Sequence, residues 1–477
     1  MIHLRHLIVS GAVLLGSAQL KAEVRTWTDS TGQFKIEAEL VGIQGGQVTL
    51  KRPDGSIAKL PLARLSKADQ DFLKPAATGS AGSAAGGGGD WPQWRGNNRD
   101  DLSTEQGLLK KWPSGGPKRV WVNEDAGLGY ASFAVSGGKL YTLGLFDAEE
   151  KLLCIDIATG KTVWSTEVGP IFQNKWGNGP RSTPTVSGGK VYALSASGVL
   201  LCTDAATGKK DWDKSLVKDL GGAVPGWGYC ESPLVTGELV VVTPGGKDGA
   251  LAALETGSGK VKWRSKDFKD PAQYSSCITA VVGDKPQIIQ LVMNNIVGVS
   301  PTDGAVLWQS SFPGRTAVIP TPIYNNGHVY VTAGYGVGCK MIKLSGSEPQ
   351  EVYANNVIVN HHGGVVLVDK HLYGHSDSGG WVCQEFESGK EVWKSRDLGK
   401  GCVTYADGHL YCVDENSGDV ALVKVSTDKW EEVSRFQLEA KSDQRAPDGR
   451  IWTHPVVAGG KLYLRDQEFI SCYDIKG

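Results

Sequence analysis

Along most of the chain, short apolar runs alternate with turns rich in Gly and polar side chains. Pro184-Thr-Val-Ser-Gly-Gly-Lys-Val-Tyr192 has this form, and Pro455-Val-Val-Ala-Gly-Gly-Lys-Leu-Tyr463 repeats it. Two strand-length segments around a Gly pair predict an antiparallel hairpin. A second phrase follows. Asp156 to Trp164 and Asp204 to Trp212 both read Asp-x-x-Thr-Gly-x-x-x-Trp. Looser copies end at Trp263, Trp308 and Trp393 and keep Ser258-Gly259, Asp303-Gly304 and Ser388-Gly389. A polar residue and Gly suit a tight turn, because it needs φ > 0 without a Cβ clash. The Trp on the following strand is large enough to anchor the unit in a core.

From Trp164 to Trp212, Trp263 and Trp308 the intervals are 48, 51 and 45 residues, close to the roughly 40–50 residues of a four-stranded propeller blade. Unit starts fall near Ser132, Ser182, Ser232, Ser276, Pro320, Gly363, Gly401 and His454, which makes eight. In the fifth unit Tyr353 stands where the Trp is expected, and the phrase is degraded in the fifth and seventh. The last copy stops at Asp474-Ile-Lys-Gly477, while a strand without a unit, Pro117-Lys-Arg-Val-Trp121, lies at the other end. That strand is expected to complete the eighth blade and remove the free sheet edges of an open array. The predicted fold class is therefore all-β, an eight-bladed β-propeller of four-stranded blades preceded by a small SH3-like β barrel.

Residues 1–22 combine a short basic start (His3, Arg5, His6) with an apolar run from Leu7 to Leu15 and small residues after it. They read as a signal peptide, too short to span a bilayer, with a periplasmic or extracellular destination. Residues 24–75 read as the small barrel. Phe34, Ile36 and Ala38 alternate with charged residues, Asp54-Gly55 marks a hairpin, and Ser66 with Asp69 forms a box-like helix start. Residues 76–90 are a Gly/Ala/Ser linker. The propeller domain spans 91–477 and opens with Trp91-Pro-Gln-Trp94-Arg95-Gly96, an irregular strap expected to cover one exposed end of the ring; Leu108, Leu109 and Trp112 extend it.

Composition narrows the function. The formal net charge is −1, so nothing in the charge balance points to a nucleic-acid-binding surface, and no nucleic-acid partner is expected. Nine Cys include no CxxC and no adjacent pair, which argues against a zinc ribbon or redox dithiol. Cys154, Cys202, Cys383 and Cys472 share one position in their units and read as small buried strand residues. Cys402 and Cys412 flank the Asp407-Gly408 turn and could face each other across a hairpin. A Rossmann glycine pattern, a P-loop and an HExxH are absent.

Two resemblances bear on function. The words Trp27-Thr-Asp-x-Thr-Gly-x-Phe34, Leu50-Lys-Arg-Pro-Asp-Gly55 and Pro61-Leu-Ala-Arg-Leu-Ser66 with Asp69 resemble the first homology domain of the yeast endocytic adaptor Sla. That implies a protein-binding module, which in the eukaryotic family takes Asn-Pro-Phe-type peptides. The repeat array resembles the eight-bladed pyrroloquinoline-quinone (PQQ) repeat propellers. These include quinoprotein alcohol dehydrogenases, and also BamB, which binds no cofactor. The enzymes of that group imply PQQ with calcium and a vicinal disulfide stacked on the quinone; this chain has no Cys-Cys pair, and no compact Asp/Asn/Glu set maps onto the calcium ligands.

Polar and aromatic residues gather just before the unit starts, where loops converge on one mouth of the channel. The ligand-binding candidates are Asn178, Arg181, Trp227, Tyr229, Tyr274, Arg315, Asn360 and Trp452. The candidates for catalysis are Glu231, His361, His362 and His454, which together suit a metal or acid–base site. His361 and His362 are adjacent, so on a strand at most one would face the channel. Three functions remain open. One is an extracytoplasmic binding or scaffold protein that takes a peptide through the barrel and a small molecule or saccharide in the channel. The second is a PQQ-dependent dehydrogenase acting on an alcohol or sugar. The third is a lyase or hydrolase using Glu231, Arg181 and His361 or His362 on a polysaccharide.

Overall fold

The structure is a computed structural model that describes residues 25–44, 47–54, 56–61, 64–67, 69, 89–345 and 348–477. The expected signal peptide at 1–22, Gly55 of the expected Asp54-Gly55 hairpin and the linker up to residue 88 lie outside the described residues. The chain divides into two compact units, Met1–Gly79 and Ser80–Gly477.

In the first unit Arg25–Thr28, Lys35–Gln44, Gln47–Lys51 and Ile57–Pro61 form one antiparallel sheet in sequence order. Trp27, Ala38, Val48, Leu50 and Leu65 make its core, and the buried indole of Trp27 donates to the Ala38 carbonyl at 2.9 Å. At the helix start Asp69 N donates to Ser66 Oγ at 3.2 Å, and the Asp69 carboxylate takes Thr28 N at 2.7 Å.

The second unit is a ring of eight sheets, each built on four antiparallel strands, with a short fifth strand added in blade 7. Blades 1 to 7 span 134–170, 185–215, 234–264, 278–311, 323–355, 365–395 and 401–437. Blade 8 takes three strands from 456–474 and its outermost strand, Lys118–Asn123, from the other end, with Trp121 opposite Cys472. The N-terminal strand thus closes the ring, as the truncated last repeat predicts.

The repeated phrase joins each blade to the next. Trp121, Trp164, Trp212 and Trp263 each lie over the turn Gly of the following blade: Gly160, Gly208, Gly259 and Gly304. These glycines have φ of 66–75°, and a Cβ on any of them would come within 2.4–2.6 Å of the ring. Trp121, Trp212 and Trp263 also donate to a carbonyl of that turn at 2.8–2.9 Å. Tyr353 keeps the arrangement in blade 5, covering Gly389 and donating to the Phe386 carbonyl at 2.9 Å. Trp308 has no intact phrase ahead of it; it turns back on Gly298 and donates to Gln287 Oε1 of its own blade at 2.6 Å.

The cysteines are free. Cys402 stands opposite Val413, and Val403 opposite Cys412. One residue of offset puts the two thiols on opposite faces of the sheet, so the cross-hairpin pairing is corrected.

The strap does more than cover an end. It runs through the middle of the ring. Trp91 pairs with Val135 of blade 1, and Pro92 accepts from Val186 of blade 2. Arg99 donates to Ser232 and Pro233 at blade 3, and Trp94 to Thr321 at blade 5. Arg95 donates to Val365 of blade 6 at 2.6 Å. Leu102–Ser103 adds a parallel strand to the inner edge of blade 7, and Ser103 donates to Val457 of blade 8. Arg95, Arg99 and Asp101 hold φ near +60°, a strained conformation for residues with a Cβ that persists because the surrounding inner strands determine it.

Candidate functional site

In a four-stranded meander the start of the innermost strand and the loop between strands two and three open on one end. At that end of the ring lies a cavity of about 230 Å³. Trp94 and Arg95 of the strap line it, so the strap closes the channel beneath it. Aromatic side chains dominate its lining: Trp94, Tyr130, Trp176, Trp227, Tyr274, Tyr335 and Trp452. Several are locked edge to face or tilted, Trp227 with Tyr274 at 5.5 Å and Tyr130 with Trp452 at 5.1 Å between ring centroids. A separate polar groove of about 610 Å³ lies on the outer flank where blade 8 meets blade 1.

Of the residues singled out by sequence, Arg181, Trp227, Tyr274, His361, His362, Trp452 and His454 line the cavity. The others do not. Tyr229 is packed in the core between blades 2 and 3 and donates to the Pro244 carbonyl. Asn178 accepts from Asn174 N within its own loop, and Arg315 is exposed. Asn360 is buried and braces the turn behind the histidines, bonding the Gly364 amide and the Gly364 and His375 carbonyls. Glu231, expected beside the histidines, is buried elsewhere; it accepts from Thr243 N and sits against Gln290.

Both His361 and His362 line the cavity, with ring centroids 5.1 Å apart. The expectation that at most one would do so fails because residues 361–364 form an irregular turn, not a strand. Their surroundings differ. Lys400 Nζ, also paired with Asp377 at 2.8 Å, lies 2.7 Å from His361 Nδ1, and His361 Nε2 lies 2.8 Å from the Tyr335 hydroxyl. Burial, aided by the charges of His362 and Lys400, holds the His361 imidazole down at about 3. His362 is bonded through Nε2 to Glu415, whose Oε2 also accepts from Trp452 at 3.0 Å. Burial opposes its charge, yet the Cys402 thiol and Glu415 hold it above the ordinary value.

Behind these rings sits a buried polar knot. Cys402 Sγ lies 3.8 Å from His362 Nδ1. Asp101 of the strap lies 3.1 Å from Arg95 Nε and 3.6 Å from His454 Nδ1. Burial would raise the Cys402 thiol, but His454 and His362 bring it down to about 7. Burial likewise opposes the His454 charge, and Cys402 with Asp101 more than offsets it. Among the described residues no group of three or more His, Cys, Asp and Glu side chains is arranged to hold a metal.

Sequence reasoning missed Tyr130, Trp176, Cys230 and Tyr335. Tyr130 and Cys230 follow the same rule as the residues it found, standing just before a unit start. Trp176 lies in a loop between blades. Tyr335 belongs to the loop between the second and third strands of blade 5, and its signal is a Tyr flanked by Gly334 and Gly336.

The family model described as outer membrane protein assembly factor BamB matches residues 148–395, just over half of the chain. The chain belongs to that family. A second model, SLA1 homology domain 1, matches residues 18–80 of this BamB-family protein. That segment is 38% identical over 53 residues to the actin cytoskeleton-regulatory complex protein sla1 of Schizosaccharomyces pombe, and 38% over 50 residues to SLA1 of Mycosarcoma maydis. These matches cover 11% and 10% of this chain, which spans 4% of each relative's length. Among solved structures, BamB from Moraxella catarrhalis has a TM-score of 0.55 at 14% identity over 75% of this chain and 99% of its own. Quinohemoprotein alcohol dehydrogenase from Comamonas testosteroni has a TM-score of 0.59 at 13% identity over 85% and 82%. At such identities the likeness establishes the fold alone. The cavity does not fit calcium-bound PQQ. Calcium takes six to eight oxygen ligands, many of them carboxylates, and the cavity lining holds no Asp, Glu, Asn or Gln.

Proposed function

We propose that this chain is an extracytoplasmic binding and scaffold protein whose propeller holds a small ligand in the mouth of its central channel. The observation that carries this reading is the aromatic cavity closed beneath by the strap. Its aromatic residues come from the strap and from several blades, and flat aromatic faces inside a concave site are a general means of holding a ring-shaped ligand. At about 230 Å³ the space lies below the ~300–1,000 Å³ of sites for drug-sized molecules, so it suits a single ring. The N-terminal unit supplies the second contact. Its likeness to the SLA1 domain supports a peptide-binding role, and Phe34 and Ile57 present apolar side chains at 73% and 52% exposure. The basic-apolar start of the chain supports export.

Tryptophan fluorescence of the full chain, titrated with single-ring sugars and aromatic alcohols and acids, tests the cavity. A saturable change lost in Trp227→Ala and Trp452→Ala supports the reading. A titration that neither variant alters returns these aromatics to a purely structural role.

A further inference from the structure

We infer that the cavity takes a single ring bearing one carboxylate, gripped between Arg181 and the Tyr335 hydroxyl; this rests on the small-ligand reading above and deepens it. Arg181 is a cation in the cavity lining with no acidic partner within ion-pairing distance among the described residues. Its guanidinium donates to the Gly177 carbonyl at 2.6 Å and to that of Gly179, and lies over the rings of Tyr130 and Phe172. Five N–H donors in a rigid fork leave some for a ligand. The acid it interacts with is Glu150, fully buried, with Oε2 taken by Ala196 N at 2.8 Å. Burial pushes that carboxyl up to about 7, and it makes no ion pair with Arg181.

Tyr335 supplies the second grip through a chain whose direction is set by its first member. A lysine ammonium has donors only. Lys400 therefore donates to His361 Nδ1, which places the single imidazole proton on Nε2. That proton goes to the Tyr335 oxygen, and the phenol O–H is left to donate to something else. Tyr335 lines the cavity, so the donor is available to a ligand there. Its backbone gives an independent reason to assign it a role. Tyr335 holds φ of +58°, a strained conformation for a bulky residue that is concentrated at ligand sites.

The charges around the cavity select the sign of the ligand. Asp101 is committed to Arg95 and His454, and Glu415 to His362 and the Trp452 indole. No acidic side chain lines the cavity, so a cationic guest meets no counter-charge. One guanidinium without an ion-pair partner matches one negative charge, which favours a carboxylate over a doubly charged phosphate. The aromatic walls take the faces of the ring, whether sugar or arene.

Calorimetric titration of the full chain with five probes tests this: glucuronate and glucose, 4-hydroxybenzoate and 4-hydroxybenzyl alcohol, and glucosamine. At least one acid is expected to bind at least about tenfold more tightly than its neutral counterpart, with glucosamine weakest. Binding of glucuronate alone identifies a saccharide acid, and of 4-hydroxybenzoate alone an aromatic one. Tyr335→Phe and Arg181→Gln should each weaken the acid by about 10- to 100-fold, the span for a hydrogen bond to a charged group, and the neutral probe by clearly less. Tyr335→Phe keeps the ring and removes only the hydroxyl, so it remains informative if Arg181→Gln disturbs the loop at 177–181. Equal affinity for acid and neutral probes, or an acid affinity that neither variant alters, overturns the carboxylate while the small-ligand reading stands. Absence of binding by all five to the folded protein overturns both.

Discussion

Glu150 and Asp101 are two buried acids with opposite effects on the fold. Glu150 has one oxygen without a hydrogen-bond partner, and burial raises its carboxyl from 4.5 to about 7. Below pH 4.5 it is protonated folded or unfolded. As the pH rises through about 7 the unfolded chain has already ionised, so stability is lost, by on the order of 3 kcal/mol. Glu150→Gln keeps an acceptor for Ala196 N and should match the native chain below pH 4.5 and exceed it at pH 8, as read by Tm across that range. Asp101, by contrast, neutralises Arg95 and His454. Asp101→Asn leaves both cations without their carboxylate, and urea unfolding should show a loss of about 3–5 kcal/mol. Sequence reasoning selected Arg181, Trp227, His362, Trp452 and His454 because such residues are unusual just before a strand. It placed Glu231 beside the histidines because position in the repeat was its only guide. Which way a side chain turns from that position depends on neighbours in its own blade and the next, here Thr243 and Gln290.

At the level of elements the Trp–Gly clamp does most to order the blades. Gly259 has φ of 66° and a site for Cβ only 2.6 Å from the Trp212 ring, so both backbone and space forbid a side chain. Gly259→Ala should destabilise by about 2 kcal/mol or more through overpacking and strain, seen as a lower denaturation midpoint with an unchanged slope. Tyr353→Phe removes a single inter-blade hydrogen bond and should cost about 1 kcal/mol. The phrase was legible because turn chemistry and a large anchor leave a periodic trace. The retreat of Trp308 onto Gly298 was not, because it depends on what the next blade fails to offer. The offset of Cys402 from Cys412 turns on one residue of register, which flips a side chain to the other face.

For the whole molecule, ring closure and the threaded strap come from the same N-terminal stretch. A chain beginning at Glu124 would expose the edge of the Phe469–Asp474 strand and empty the channel. It is expected to associate through that free edge and to unfold at a lower temperature than the full chain, which light scattering and calorimetry would detect. The number of blades, their order and the closing strand were determined by the sequence alone, because each follows from local repetition and from one strand missing at one end and present at the other. The strap's path, the pairing of Asp101 with Arg95 and His454, and the relay from Lys400 to Tyr335 were decided only by the tertiary structure. Apart from Asp101 with Arg95, these join residues separated by tens to hundreds of positions around a shared axis, and what settles them is the burial of charge and the space left at the centre once eight blades have closed.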